Sequence, residues 1–296
     1  MELSDLPQDC LCEILGRTPP STICSAAATC RRLAAAARCE ATWAILLSPL
    51  SSPFLSLPLS CRLLSLSLSS PPLSLPLAPT KREIAHRLTH GVLVDGGKQL
   101  YKLSGRTGGF MAALSSSAMN ITWGGDSRFW RRESSRSSWF GTVSRLLAVC
   151  WFEVRGNWTL WLPHGSYSLL WRIKVLNPHG GRLRFLSWHK PINFWLCLRE
   201  GREENELILR EKLAMAELSP SCYERWFEFK VGEFMVKSSD EMVRLEFGVE
   251  ELDCSFWKGG LLLDCVAVRP LFCDDQICSD RPEWDFSKAR GTPGVF

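Results

Sequence analysis

Thirteen tryptophans stand against three tyrosines in this chain of 296 residues, and two of them, Trp123 and Trp130, flank Gly124-Gly125-Asp126. Gly-Gly-Asp is a turn signal, so at least one of the pair belongs at a loop rim. An indole held beside a carboxylate suits one chemistry in particular. The apolar C–H face of a pyranose lies on the ring, while its hydroxyls need Asp, Glu or Asn partners. Tryptophan is also highly buried on average, so core or lid positions remain open for both.

Other chemistries find little support. His86, His90, His164, His179 and His189 are scattered, in no metal-ligand pattern. There is no Gly-x-Ser-x-Gly elbow and no phosphate loop. Glu228 and Glu233 could be imagined as a glycosidase pair, but carboxylates this close are common on solvated strand faces. Arg128, Arg131, Arg132 and Arg136 surround Phe129 and Trp130, with Glu133 among them; solvated loop charge accounts for the cluster. The net charge of +4 is too small to argue for nucleic acid. The expectation is a protein without catalysis, cofactor or metal.

The 13 cysteines include no Cys-x-x-Cys pair: Cys10 and Cys12 are separated by one residue, Cys273 and Cys278 by four. They read as reduced, mostly buried apolar residues of a cytoplasmic or nuclear protein. The first residues carry Glu2, Asp5 and Asp9, unlike a signal peptide. The Asn120 and Asn157 sequons are then silent.

Composition divides the chain into segments 1–46, 47–79, 80–270 and 271–296. Residues 1–46 have helical spacing: Leu6, Cys10, Leu11, Ile14 and Leu15 form one stripe, Gly16 stops it, and Pro19-Pro20 breaks the chain. A second helix runs from Ser21 through Ile23 and Ala27, and a third from Leu33 through Ala37 on to Trp43 and Leu46. Residues 47–79 hold 12 Leu, 10 Ser and 7 Pro. The prolines interrupt every candidate membrane span, so the segment reads as a disordered low-complexity linker. Residues 271–296 form a divergent acidic tail.

Leu6-Pro7-Gln8-Asp9-Cys10-Leu11-Cys12-Glu13-Ile14-Leu15, followed by Pro19-Pro20, Cys30-Arg31-Arg32-Leu33 and Trp43, resembles the F-box. The resemblance implies a three-helix element that docks on the Skp adaptor of cullin-based ubiquitin ligases. Its contact residues would be Leu6, Pro7, Leu11, Ile14 and Leu15, with Trp43 in support. Fewer than fifty residues bury a poor core alone, and an exposed apolar stripe should find a partner helix.

From residue 148 onward the chain shows period-two alternation. Tyr167, Leu169, Trp171, Ile173 and Val175 share one strand face, with Ser168, Arg172 and Lys174 on the other. Further strands are expected at 149–155, 182–188, 192–198, 206–210, 226–231, 242–249 and 261–269, after a short helix over 81–90. Many short strands with one polar face argue for a mainly antiparallel β-sandwich behind the helical unit, an α+β multidomain chain.

Gly91-Val92-Leu93-Val94-Asp95-Gly96-Gly97-Lys98-Gln99-Leu100 opens an ordered set of motifs. It continues with Ile121-Thr122-Trp123 through Phe129-Trp130, Val149-Cys150-Trp151-Phe152-Glu153-Val154-Arg155-Gly156, Trp226 through Phe234, Phe256-Trp257-Lys258-Gly259-Gly260-Leu261 and Val268-Arg269-Pro270. The set resembles the phloem protein 2, or Nictaba-like lectin, domain. With the F-box it resembles the plant F-box proteins that carry such a domain. The resemblance implies a jelly-roll-like lectin fold that binds glycans containing N-acetylglucosamine. It assigns Trp123, Trp130 and Glu251 to the sugar site; a second acidic position falls on Arg244 without a gap and on Glu246 with a shift. A family Arg before Ile121 is replaced by Ser116-Ser117-Ala118-Met119.

The function expected is that of a substrate-recognition subunit of a Skp-cullin-F-box ubiquitin ligase, whose sandwich selects (glyco)protein targets for degradation. Its partners would be the Skp adaptor, through it a cullin, and glycoproteins, with no nucleic acid and no membrane span. The alternative is a lectin or stress-response protein-binding module whose F-box is unused.

Overall fold

In the computed structural model of the chain, residues 6–50, 80–177, 188–200, 207–215, 218–237 and 242–271 are described. The disorder expected of the 47–79 linker, the strand expected at 182–188 and the tail 271–296 lie almost wholly outside these residues.

Helices α1 (Gln8–Gly16), α2 (Pro20–Ala27), α3 (Arg31–Arg38) and α4 (Glu40–Leu46) make the first unit. Pro20 sits at the start of α2, where its missing N–H has no intrahelical acceptor to lose. The single third helix expected from the sequence is two helices. The chain turns extended at Cys39, with φ −66° and ψ 133°. Side chains of α4 hold the break. Thr42 Oγ1 donates to Ala36 O at 2.7 Å, beside the Cys39 N–H at 3.0 Å, and Trp43 Nε1 donates to Ala37 O at 2.8 Å, so the last carbonyls of α3 are satisfied. Leu11, Leu15, Ile23, Trp43 and Leu47 fill the space between the helices. At Gly16 a Cβ would fall 2.6 Å from Ile45 Cβ, so glycine is what lets α1 approach α4.

Helix α5 (Lys81–His90) starts in a capping box, with the Thr80 hydroxyl on the Glu83 N–H and the Glu83 carboxylate on the Thr80 N–H. It buries Ile84, Ala85 and Leu88 against α4 and the first sheet. The Ser21 N–H also donates to Gly105 O at 2.8 Å. One apolar core thus runs from Leu11 and Trp43 through Ile84 and Leu88 into the sandwich.

The first sheet contains β1 (Val92–Val94), β2 (Gln99–Leu103), β3 (Phe110–Ser115), β5 (Trp130–Ser134), β6 (Thr142–Leu146), β8 (Gly165–Val175), β11 (Trp226–Val236) and β13 (Leu261–Pro270). The second runs β10 (Leu207–Leu213), β9 (Ile192–Glu200), β12 (Val243–Glu251), β7 (Phe152–Leu160), β4 (Asn120–Ile121). Among the described residues every strand pairing is antiparallel. The inner faces interlock through aromatics: Trp171 of β8 meets Phe194 of β9 and Phe247 of β12 edge-on, each at 5.8 Å.

The polar face expected on β8 is not a solvated one. Ser168 and Arg172 are 6% and 8% exposed. A buried guanidinium must be paired, and Arg172 is bound to Asp264 of β13, itself fully buried. Asp264 also accepts from Ser138 Oγ at 2.6 Å and from the Trp139 N–H at 3.2 Å. The rings of Trp139 and Trp226 roof Arg172, with centroids 5.4 and 4.7 Å from its guanidinium carbon. The 135–141 loop is thereby closed over the sheet.

Strand β3 sets the two ends of the molecule. The 105–109 turn before it meets the helical unit, and the chain leaves Ser115 for a short 3-10 turn and β4 at the other end. Six residues of strand span about 20 Å. β13 runs back along β3, pairing Cys265 with Ser115 and Val268 with Ala112. The loop before β13 therefore lies at the end away from the helices.

Candidate functional site

At that far end three chain segments converge. Thr122 follows β4, and its N–H donates to Glu153 O of β7 at 3.1 Å. Lys258, before β13, forms an antiparallel bridge with Val149, before β7, with N–H···O distances of 2.7 and 2.9 Å. These backbone bonds bring the 122–130 turn, residues 150–153 and the 252–257 loop to one rim. Among them Trp123 is 59% exposed, Trp257 51%, Phe256 45% and Trp151 38%. Large apolar groups so open to water, grouped at one end of a sandwich, mark a binding surface.

Glu153 organises the middle of the rim. Its carboxylate accepts from Thr122 Oγ1 at 3.1 Å and Trp151 Nε1 at 3.3 Å, and pairs with Arg155 at 2.5 Å. Burial alone would raise its pKa; the bonds from Trp151, Arg155 and Thr122 outweigh it and hold the carboxyl below its ordinary value. Asp253 is held lower still, chiefly by Lys190 at 2.7 Å and also by Ser255. The rim thus presents indoles beside carboxylates that stay ionised at neutral pH.

The 252–257 loop is anchored from beneath. Lys258 is 1% exposed, and its ammonium pairs with Glu251 at 2.7 Å. The same ammonium donates to Asp253 O at 2.5 Å and to Cys150 O. Desolvation lowers the Lys258 pKa, with the charge of neighbouring Lys190 acting in the same direction. Glu251 completes the arrangement by accepting the Asp253 N–H at 2.8 Å.

The structure separates the residues that the sequence grouped. Trp123 stands at the rim, at φ 64°, its ring tilted against Phe129 at 6.0 Å. Trp130, expected at the sugar site, is 4% exposed. It begins β5, where the strand face directs it inward; it stacks on Phe152 at 6.2 Å and donates Nε1–H to Thr122 O at 3.1 Å. It can shape the turn below Trp123 but offers no platform. Glu251 is likewise inside, 4% exposed and engaged by Lys258, so it props the loop and offers no free acceptor. Glu246 lies on the outer face of the second sheet, paired with Arg244 at 3.2 Å and Arg199 at 3.8 Å. Four strand residues, about 13 Å, separate it from Glu250, which faces Glu153 across the ladder.

Trp151, Glu153, Asp253, Phe256 and Trp257 join the rim beyond the residues expected from the sequence. The sequence carried a signal for two of them: in 151–154, Trp and Glu alternate with Phe and Val, so Trp151 and Glu153 share the polar face at a strand start.

The helical unit offers a second surface. Pro7, Cys10 and Ile14 are exposed on one side of α1, and Leu6 is half-buried beside them. The i, i+3, i+7 spacing makes one stripe, with Ile14 at 40% exposure. Leu11, Leu15 and Trp43, expected among the contact residues, are 0%, 4% and 6% exposed. Leu11 and Leu15 lie on the side of α1 that packs on α3 and α4, and Trp43 is buried in α4, so all three set the stripe from within. Among the described residues no helix is long and apolar enough to cross a membrane. Nor, among them, are three or more His, Cys, Asp or Glu grouped to hold a metal ion.

Residues 3–47 match the F-box-like family, and residues 110–270 match phloem protein 2. F-box protein PP2-A15 of Arabidopsis thaliana is 30% identical, over 91% of this chain and 88% of its own length. F-box protein PP2-A13 of the same plant is 26% identical, over 94% of this chain and 91% of its own length. Among solved structures, TmCBM61 in complex with β-1,4-galactotriose has 12% identity over 51% of this chain and 86% of that one; its TM-score of 0.29 is too low to carry an argument. The chain belongs to the plant F-box proteins with a phloem protein 2 domain.

Proposed function

We propose that this protein is the substrate-recognition subunit of a Skp-cullin-F-box ubiquitin ligase, working in the cytoplasm or nucleus and performing no chemistry itself. The α1 stripe docks the Skp adaptor, and the Trp123–Trp151–Trp257 rim binds target glycoproteins. Bringing a target to the ligase raises its effective concentration there. The observation that carries this reading is the placement of the two exposed apolar surfaces at opposite ends of one continuous core. Neither would obstruct the other.

N-acetylglucosamine-containing glycans fit the rim's chemistry. Pyranose faces stack on indoles, and ionised Asp253 and Glu153 accept from hydroxyls. Affinity is weak, since an open rim gains little over water. The test is titration of N-acetylglucosamine oligomers and high-mannose glycans into the full chain, wild type and Trp123→Gly. The wild type binds and the variant loses most of that binding. A folded wild type that binds no glycan would overturn the lectin reading. It would favour a rim that recognises protein surface, to which the engagement of Glu251 by Lys258 also points.

A further inference from the structure

The rim holds two free cysteines that its glycan chemistry does not use. Cys254 is exposed in the 252–257 loop, and Cys150 is half-buried beside Trp151. They are 104 positions apart in sequence, yet burial and the neighbouring Cys150 thiol together push the Cys254 thiol's pKa up. The backbone enforces the proximity. Val149 and Lys258 are bridge partners, and the single Lys258 ammonium binds both Cys150 O and Asp253 O. With those carbonyls sharing one donor, the residues at or next to them are held together by a group that is 1% exposed. Cys12 and Cys39 of the helical unit are also neighbours, but Cys12 is 2% exposed and closed to a reagent from solution.

We propose that Cys150 and Cys254 are a redox-modification site, closing reversibly to a disulfide that clamps the 252–257 loop onto the start of β7. The oxidant is a small disulfide of the glutathione class. The Cys254 thiol, which the solvent can reach, gives up its proton, and the thiolate attacks one sulfur of glutathione disulfide. The glutathione S–S bond breaks, and the first glutathione leaves and takes up a proton. The Cys150 thiol then gives up its proton and attacks the Cys254 sulfur, and the second glutathione leaves and takes up a proton in turn. Two protein thiols are oxidised and one glutathione disulfide is reduced to two thiols. The loop so clamped carries Phe256 and Trp257, so oxidation fixes one side of the rim while leaving Trp123 untouched. A closed loop of this length also restrains the unfolded chain.

The test is equilibration of the native full chain in glutathione buffers of graded redox ratio, followed by alkylation and non-reducing peptide mapping. Wild type loses two alkylatable thiols together and yields a Cys150–Cys254 linked peptide, which reduction reverses. Amide exchange across 252–257 slows in the oxidised form. Cys150→Ser stops at the first step, with glutathione retained on Cys254; Cys254→Ser gives neither linkage nor slowed exchange. Wild type in which both thiols remain alkylatable in the most oxidising buffer would overturn the proposal, as would glutathione retained on Cys254 without linkage. A linked peptide without slowed exchange would overturn the clamp.

Discussion

Deleting Trp130 and deleting Trp123 should have very unequal effects on stability, although the two stand only seven residues apart around one turn. Trp130 is 4% exposed and stacked on Phe152. Removing a large buried aromatic costs about 3–5 kcal/mol in transfer and cavity terms. Thr122 O, which loses the indole donor, is at the half-exposed rim and can take water instead, so the lost hydrogen bond adds little. At about 2–4 °C per kcal/mol for a unit of this size, Trp130→Ala lowers the melting temperature by ~6–20 °C. Trp123 is 59% exposed, so deleting it forfeits only about 2 kcal/mol of burial at ~25 cal/mol per Å². Its backbone is at φ 64°, a conformation that costs a non-glycine residue about 1–2 kcal/mol. Trp123→Gly recovers that amount, so its melting temperature stays within ~4 °C of wild type. Thermal unfolding of the full chain followed by circular dichroism reads both. Equal destabilisation by the two variants, or wild-type stability in Trp130→Ala, would refute the placement of these rings.

Three more outcomes rest on named contacts. Ile14→Asp puts a charge on the exposed α1 stripe, so co-purification with a Skp adaptor is lost while thermal stability is retained; adaptor binding at wild-type level would count against that face. Asp264→Ala strands Arg172 beneath Trp139 and Trp226 and costs about 3–5 kcal/mol, whereas Arg172→Met with Asp264→Leu restores most of it; denaturant unfolding that shows the double variant no better than the single one would sink the pairing argument. Glu153 is held below its ordinary value of 4.5, so its contribution is fully present above pH 4.5 and is lost as pH falls through the lower folded value. The Trp151 indole N–H resonance should therefore titrate with a midpoint below 4.5, and a midpoint at or above it would contradict the Glu153 network.

The sequence revealed elements more readily than it revealed where side chains end up. Helix α5 was legible because it is local: Thr80 and Glu83 cap it, and Ile84 and Leu88 give it one apolar face. The inner face of β8 was legible from strict alternation. Its outer face was not, since Arg172 is buried by Asp264, 92 residues away, and by a loop that closes over both. The Cys39 break was hidden for a related reason. Nothing local stops a helix running from α3 into α4; the stop depends on Thr42 and Trp43 folding back onto Ala36 and Ala37. At the rim, spacing and resemblance pointed to the right turn but could not say that Trp130 enters a strand facing inward. Lys258 was the decisive unseen residue. A buried ammonium takes Glu251 out of any surface role and gathers Cys150 and Asp253 around itself.

In the proposed function one chain joins an adaptor at the α1 stripe to a glycoprotein at the far rim. The most direct test of that function is a three-component capture: the full chain is held on immobilised Skp–cullin and offered a glycoprotein bearing N-acetylglucosamine-containing glycans, with its deglycosylated form as control. Wild type should retain the glycosylated form alone. Trp123→Gly should stay on the adaptor and release the glycoprotein, and Ile14→Asp should bind the glycoprotein free in solution yet fail to hold it on the adaptor. Equal retention of both glycoforms, or of the glycoprotein by wild type and Trp123→Gly alike, would contradict the account.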